Sequence, residues 1–158
     1  MAKKKKKKIQ DPDVKMVCRN RRARHDYQID DEFEAGLVLL GSEVKSIRAG
    51  QADLADGYGS FKEGELFLIG VHIAPYDKAN RFGHDPRRLR KLLVHGHALK
   101  RLQVKIKERG YTLIPLELYF RKGWAKVLMG LAKGRKQYDN RDMIRKKVER
   151  RELRQHGE

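Results

Sequence analysis

The positive charge of this chain is unevenly placed, and that placement limits what can fold. Residues 1–24 hold 11 Lys or Arg against 2 Asp, a net of +9. Residues 133–158 hold 10 Lys or Arg against 5 acidic residues, a net of +5. The 108 residues between them hold 17 against 14, a net of only +3. Segments so rich in charge and so poor in apolar side chains bury too little surface to offset the entropy lost on ordering. A compact core is therefore expected in the middle, with a basic arm at each end.

The total length of 158 residues fits one domain with extensions. A net charge of +17 points to a polyanionic partner, because each cation that meets a phosphate releases a condensed counterion. A membrane partner would call for a large amphipathic helix or a lipidation signal, and the sequence has neither. Its longest apolar runs, such as Leu37 to Leu40, fall far below the roughly 18 residues of a spanning helix. Lys3 to Lys8 lead into Gln10, Asp11 and Pro12, with no apolar stretch of the secretory kind. Cys18 is the single cysteine, so no internal disulfide forms, and a cytoplasmic location is expected.

The two arms differ in character. The lysine run fits a solubilising tail as well as a binding one. The C-terminal segment interleaves Tyr138, Met143, Ile144, Val148 and Leu153 with its charges. Ile144 and Val148, four apart, would share one face of a helix. That stripe is too thin to bury against a core, so a helix formed only on a partner is expected.

In the middle, residues 25–40 read as two strands, with Gly36 marking a bulge or bend. Residues 41–50 read as a short helix capped by Ser42 and closed by Gly50. Val44 and Ile47 would face the sheet, and Lys45 and Arg48 the solvent. Tyr58 to Phe61 and Glu65 to Ile73 read as a hairpin about Lys62-Glu63-Gly64. Residues 75–90 read as a long, functional loop, broken by Pro75, Asn80, Gly83, Asp85 and Pro86. It carries Arg81, Arg87, Arg88 and Arg90, with Lys91 following. Residues 92–109 read as a helix with Leu92, Leu99, Leu102 and Ile106 on one side. Strands Tyr111 to Phe120 and Trp124 to Leu131 follow, with Pro115 at an edge or bulge. The sum is mostly β with short α-helices: about six strands and two or three helices. Many short strands with internal glycines favour a small antiparallel β-barrel of the OB type.

Catalytic signatures are missing, and no enzymatic activity is expected. Residues 131–136 lack the first glycine and the Ser or Thr of a phosphate loop. His95 and His97 have no companions at zinc spacing, and neither metal nor cofactor is expected. Asp30, Asp31, Glu32 and Glu34 form the one acidic cluster that a metal-dependent ribonuclease would require. It reads better as a solvated turn.

Six motifs in order then carry a resemblance. They are Asn20-Arg21-Arg22-Ala23-Arg24-His25-Asp26-Tyr27, Phe33-Glu34-Ala35-Gly36, the 41–50 stretch, His84-Asp85-Pro86, Arg90-Lys91-Leu92-Leu93 and Leu131-Ala132-Lys133-Gly134-Arg135-Lys136. Together, across residues 19–142, they resemble the SsrA-binding protein family (small protein B). The resemblance implies an OB-type barrel over 19–132 that binds the tRNA-like domain of transfer-messenger RNA. It implies a disordered extension over 1–18 and a basic C-terminal tail over 133–158, disordered when free and helical in the mRNA channel of a stalled ribosome. The ribosome, with its small-subunit rRNA, and elongation factor Tu on the alanylated RNA are the implied partners of a monomer. Carried over by motif, the RNA contacts are Asn20, Arg24, His25, Glu34, Lys45, Arg48, Leu93 and Lys126. The ribosome-engaging tail carries over as Gly134, Arg135, Lys136, Tyr138, Asp139 and Arg141. Arg135 replaces a lysine of the family pattern, and Asn140 replaces a basic residue. A ribosomal or initiation-factor-like OB protein is the alternative of the same class.

Overall fold

The computed structural model describes residues 12–76, 84–108 and 110–134. These form nine strands and three helices: β1 (Val14–Arg19), α1 (Ala23–Asp26), β2 (Tyr27–Leu37), α2 (Gly41–Arg48), β3 (Ala52–Asp53), β4 (Tyr58–Lys62), β5 (Glu65–Ile69), β6 (His72–Ile73), β7 (Arg90–Leu93), α3 (Gly96–Lys107), β8 (Tyr111–Arg121) and β9 (Trp124–Gly134). Every strand pairing is antiparallel. The main sheet runs β1-β8-β4-β5-β7-β2-β9, and β9 also pairs with β8. Pairing is therefore circular through β8, β4, β5, β7, β2 and β9, with β1 added outside on β8. The hairpins β4–β5 and β8–β9 turn through Glu63-Gly64 and Lys122-Gly123, all four residues at positive φ. That turn matches the natural twist of the strands it joins.

Alternation along the three longest strands separates two faces. In register across β2, β9 and β8, Ala35, Val127 and Leu118 are buried in the main core. Ile47, Leu66, Leu68, Leu92, Leu113 and Met129 complete its centre. The flanking rows, Glu34-Leu128-Glu117 and Gly36-Lys126-Tyr119, belong to the outer face. A smaller cluster of Ala23, Ile114, Leu116 and Ala132, with Tyr27, Ile29 and Leu128 against it, seats α1 on that outer face.

Several expectations need correction. The basic N-terminal stretch is not an extension up to residue 18: Val14–Arg19 is a strand on β8, with Val17 and Cys18 packed against the core. Its two cations, Lys15 and Arg19, point outward and disguise a half-buried strand. The expected strand Glu65 to Ile73 is two strands. Gly70 breaks it at φ 77°, and a Cβ there would sit 2.5 Å from the Asp56 carbonyl oxygen. Residues 92–109 are not one helix. Arg90–Leu93 alternates buried and outward residues, so it pairs as β7, and α3 starts at Gly96. Ser42 does not cap α2; Leu40 occupies that position, and its N–H donates to Glu43 Oε1 at 2.9 Å. The Ser42 hydroxyl instead bonds His84 Nδ1 at 2.9 Å. Pro115 does adjoin a bulge, where β8 slips one residue against β9. β9 extends to Gly134, so Lys133 and Gly134 are sheet residues paired with Gln28 and Tyr27. Lys3 to Lys8, Asn80, Arg81, Gly83 and residues 135–158 lie outside the described residues.

Candidate nucleic-acid interface

α2 is held by a buried ionic cluster. Glu43 and Arg90 are both fully buried, and Arg90 Nε donates to Glu43 Oε2. Arg88 Nη2 donates to Glu43 Oε1 at 2.5 Å. Arg90 also donates to the Val71 carbonyl at 2.8 Å and the Pro86 carbonyl at 3.1 Å. Burial pushes the Glu43 carboxyl up, but hydrogen bonds from Arg88, Leu40 and Arg90, with the Arg90 charge, outweigh it and hold the group below its ordinary 4.5. Burial pulls Arg90 down from its usual value, and Glu43 opposes that. Most cations of the 84–91 segment are thus spent on the fold. Arg87 reaches the Gly70 carbonyl at 3.2 Å and Asp56 at 3.6 Å, while Lys91 pairs with Glu65 at 3.0 Å. The cluster fixes α2 with Lys45 and Arg48 exposed. Lys45 Nζ stands 5.5 Å from the Tyr76 ring centre, and the Arg48 guanidinium 5.7 Å from that of Phe120. Cations over ring faces keep their charge available at the surface.

On the outer face, Glu34 accepts a hydrogen bond from the Tyr119 hydroxyl at 2.5 Å. Arg121 Nη1 lies 3.2 Å from the same oxygen, Oε2, and 3.4 Å from Oε1. Burial raises the Tyr119 hydroxyl well above its usual range, and the hydrogen bond to Glu34 adds to this. Tyr119 therefore stays a donor at any physiological pH. Glu34 opens on a groove of about 750 Å³ between β2, β7 and the start of α3, lined also by Leu93 and Lys126. Leu93 is 53% exposed, so it is no core leucine. Gly36 lies at the floor of this groove: a Cβ there would meet Leu93 Cβ at 3.3 Å, a tight approach, and Lys126 Nζ at 3.7 Å, an ordinary contact.

The third group belongs to the turn into α1. Asn20 donates through its amide to the Pro115 carbonyl at 3.0 Å and the Leu54 carbonyl at 3.4 Å. Its backbone N–H donates to the Leu116 carbonyl at 2.8 Å. Arg24 pairs with Glu32 at 2.7 Å. Glu32 precedes Glu34 by two residues on the same strand and so shares its side of the sheet. Arg24 is thereby brought onto the face that holds Glu34. His25, with a side chain 83% exposed, bonds Asp26 at 3.0 Å.

A family model described as "SmpB protein" matches residues 17–158. This chain belongs to the SmpB family. An SsrA-binding protein of Syntrophobacter fumaroxidans is 54% identical over 140 residues, covering 89% of this chain and 87% of that protein. One from Geobacter metallireducens is 52% identical, covering 89% and 92%. Another, from Enterococcus faecalis, is 54% identical, covering 86% and 89%. A chain of a solved structure described as "tmRNA-SmpB: a journey to the center of the bacterial ribosome" is 52% identical, with a TM-score of 0.63. The match covers 74% of this chain and 82% of that one.

Within this SmpB-family fold, Glu34, Leu93 and Lys126 share one groove, and Arg24 reaches the same side. Arg48 joins the far end of β8 through Phe120. Asn20 is turned into the fold, and Lys45 stands apart on α2. Gly134 ends β9; Arg135, Lys136, Tyr138, Asp139 and Arg141 lie outside the described residues. Sequence reasoning missed Tyr119 and Arg121, the two partners that hold Glu34. The two-residue alternation of β8 could have flagged Tyr119 and Arg121 as outward neighbours.

The acidic cluster dissolves into separate pairs. Asp30 accepts from the Tyr111 hydroxyl at 2.7 Å, Asp31 from the Glu32 N–H at 2.9 Å, and Glu32 and Glu34 have the partners above. Among the described residues, no group of three or more His, Cys, Asp or Glu side chains is placed to hold a metal ion. Burial, helped by the Asp53 charge, pushes the Cys18 thiol up to about 11, away from the thiolate form. No helix among the described residues is long and apolar enough to cross a membrane.

Proposed function

We propose that this chain binds transfer-messenger RNA and carries it to stalled ribosomes for trans-translation. Membership of the SmpB family is the observation that carries the reading, and the charge plan agrees with it. The RNA is met by the outer face of β2, β9 and β8, with Arg24, Glu34, Lys126 and Leu93 on it and Arg48 at its end. A-form RNA is recognised mostly through shape, phosphates and 2′-hydroxyls, which suits a face with few, spaced cations. Circular strand pairing supports an OB-type barrel as the body that presents this face. The basic segment after Gly134 probes the ribosome, becoming helical in the empty mRNA channel. Tyr138 there can stack on an exposed base, an interaction worth about 1–3 kcal/mol. The protein acts in the cytoplasm as a monomer, reaches elongation factor Tu only through the alanylated RNA, and catalyses no reaction.

Binding selectivity tests this. The chain should hold the tRNA-like domain of transfer-messenger RNA far more tightly than an unrelated duplex of equal length. Equal affinity for both would contradict it and favour a general OB-type RNA binder. Truncation after Gly134, where β9 ends, should keep RNA binding and abolish peptide tagging on stalled ribosomes. Loss of both would show that the two regions are wrongly divided.

A further inference from the structure

The chain leaves the sheet at Gly134, the last residue of β9. At that corner three strands are tied together by side chains. Lys133 stands in register with Tyr111 at the start of β8 and with Gln28 on β2. Its Nζ lies 4.4 Å from the centre of the Tyr111 ring. The Tyr111 hydroxyl donates to Asp30 Oδ2 at 2.7 Å. Asp30 sits where β2 slips against β9, between Ile29 and Asp31, and so has no register partner on that strand. Such a bulge re-aims a side chain. Here it turns an acid out of the ladder and onto the tyrosine. A hydroxyl that donates to a carboxylate feeds electron density into its ring, which strengthens the hold on a cation over the ring. Lys133 reads in the sequence as the first cation of the basic C-terminal segment, yet its charge is engaged by the sheet.

Resting on the reading above, we propose that Asp30 and Tyr111 act as a latch on Lys133 that fixes where the C-terminal segment departs from the sheet. The ribosome-engaging residues of that reading begin at Gly134, directly after Lys133, so no linker absorbs movement at this point. Each residue that peels from β9 shifts the departure point by roughly 3.3 Å along the strand. Peeling stops early, because Ala132 is fully buried. The latch therefore governs one or two residues, and these adjoin the engaging segment. Asp30 and Tyr111 are positioning residues: they act on the ribosome step through Lys133 and touch neither RNA. Glu34, Leu93 and Lys126 lie further along β2, β7 and β9, so the RNA-holding face does not depend on this corner. A direct contact from Lys133 to an rRNA phosphate is the competing use of the same cation. That contact would owe nothing to Tyr111 or Asp30.

Hydrogen exchange and tagging kinetics of the full chain test this. Asp30→Ala, Tyr111→Leu and Lys133→Gln should each quicken amide exchange across residues 131–134 several-fold, as the strand end opens locally. Each should slow peptide tagging on stalled ribosomes on the order of tenfold at saturating chain–RNA complex, the effect of having to re-order about one residue of backbone. Affinity for the tRNA-like domain of transfer-messenger RNA should not change. Lys133→Arg should keep the wild-type rate, because a guanidinium also stacks on the ring. The double variant Tyr111→Leu/Lys133→Gln should be no slower than the slower single, since both remove one contact. A multiplied loss in the double variant means that Lys133 meets RNA on its own, and overturns the latch. Unchanged exchange or tagging in Asp30→Ala and Lys133→Gln, which leave the core intact if Tyr111→Leu does not, overturns it as well. Weaker binding of the tRNA-like domain by these two variants would place the corner in the RNA site and also overturn it. In each of these cases a wild type that binds selectively and tags leaves the functional reading standing. A wild type without selective RNA binding overturns that reading and, with it, the role of the latch.

Discussion

Glu34 and Glu43, nine residues apart in the chain, are both carboxylates that face arginines, yet they do opposite work. Glu43 is fully buried and takes both oxygens into bonds with Arg88 and Arg90, themselves tied to the Val38, Val71 and Pro86 carbonyls. It has nothing left to offer a partner. Glu34 stands on the outer face with Tyr119 and Arg121 behind it and a groove in front. The difference is access. The same chemistry becomes an internal strut when every lone pair is used, and a recognition group when some are left over. The cations divide likewise: Arg88 and Arg90 hold the fold, while Arg48 and Lys126 remain available.

The sharpest way to break this comparison is to remove the strut. Glu43→Gln leaves the Arg90 guanidinium buried beside a neutral partner. Breaking a buried pair on one side typically costs about 3–5 kcal/mol, so urea unfolding should shift by that order. A shift under about 1 kcal/mol would mean that the cluster is dispensable. Acid gives a second handle on the same group. The Glu43 carboxyl is held below its ordinary 4.5, so its contribution is complete above that value and is lost as pH falls through the lower folded one. Stability of the wild type should therefore drop steeply below about pH 4.5, and Glu43→Gln should show a shallower slope.

Smaller effects sharpen the boundary between the two roles. Asn20 resembles an RNA contact by motif, but its amide already bonds two carbonyls that belong to β8 and to the turn before β4. Asn20→Ala should cost about 1 kcal/mol of stability, measured by urea unfolding. Arg24→Ala breaks an exposed pair with Glu32 and should cost less than about 0.5 kcal/mol while lowering RNA affinity at low salt. Reversed magnitudes would mean that the two residues have exchanged jobs.

Much of this fold is legible in the sequence where the signal is local. The β8–β9 and β4–β5 hairpins announce themselves through alternation and a glycine turn, and α2 through its apolar pair and Gly50. What escaped was non-local. β7 borrows leucine spacing from the helix that follows, and only pairing with β2 and β5 makes it a strand. Arg88 and Arg90 look like loop cations because their partner lies 45 and 47 residues away. Tyr119 and Glu34 meet across 85 residues. Glu34 and Leu93 fall inside the family motifs and Lys126 outside them, and the groove that gathers the three is a product of strand order.

Glu34→Gln, measured for both stability and RNA binding, tests the central distinction most directly. The account predicts an unchanged unfolding midpoint, within about 1 kcal/mol, together with at least roughly tenfold weaker binding to the tRNA-like domain of transfer-messenger RNA. Unchanged affinity, or a loss of stability comparable to that of Glu43→Gln, would contradict it.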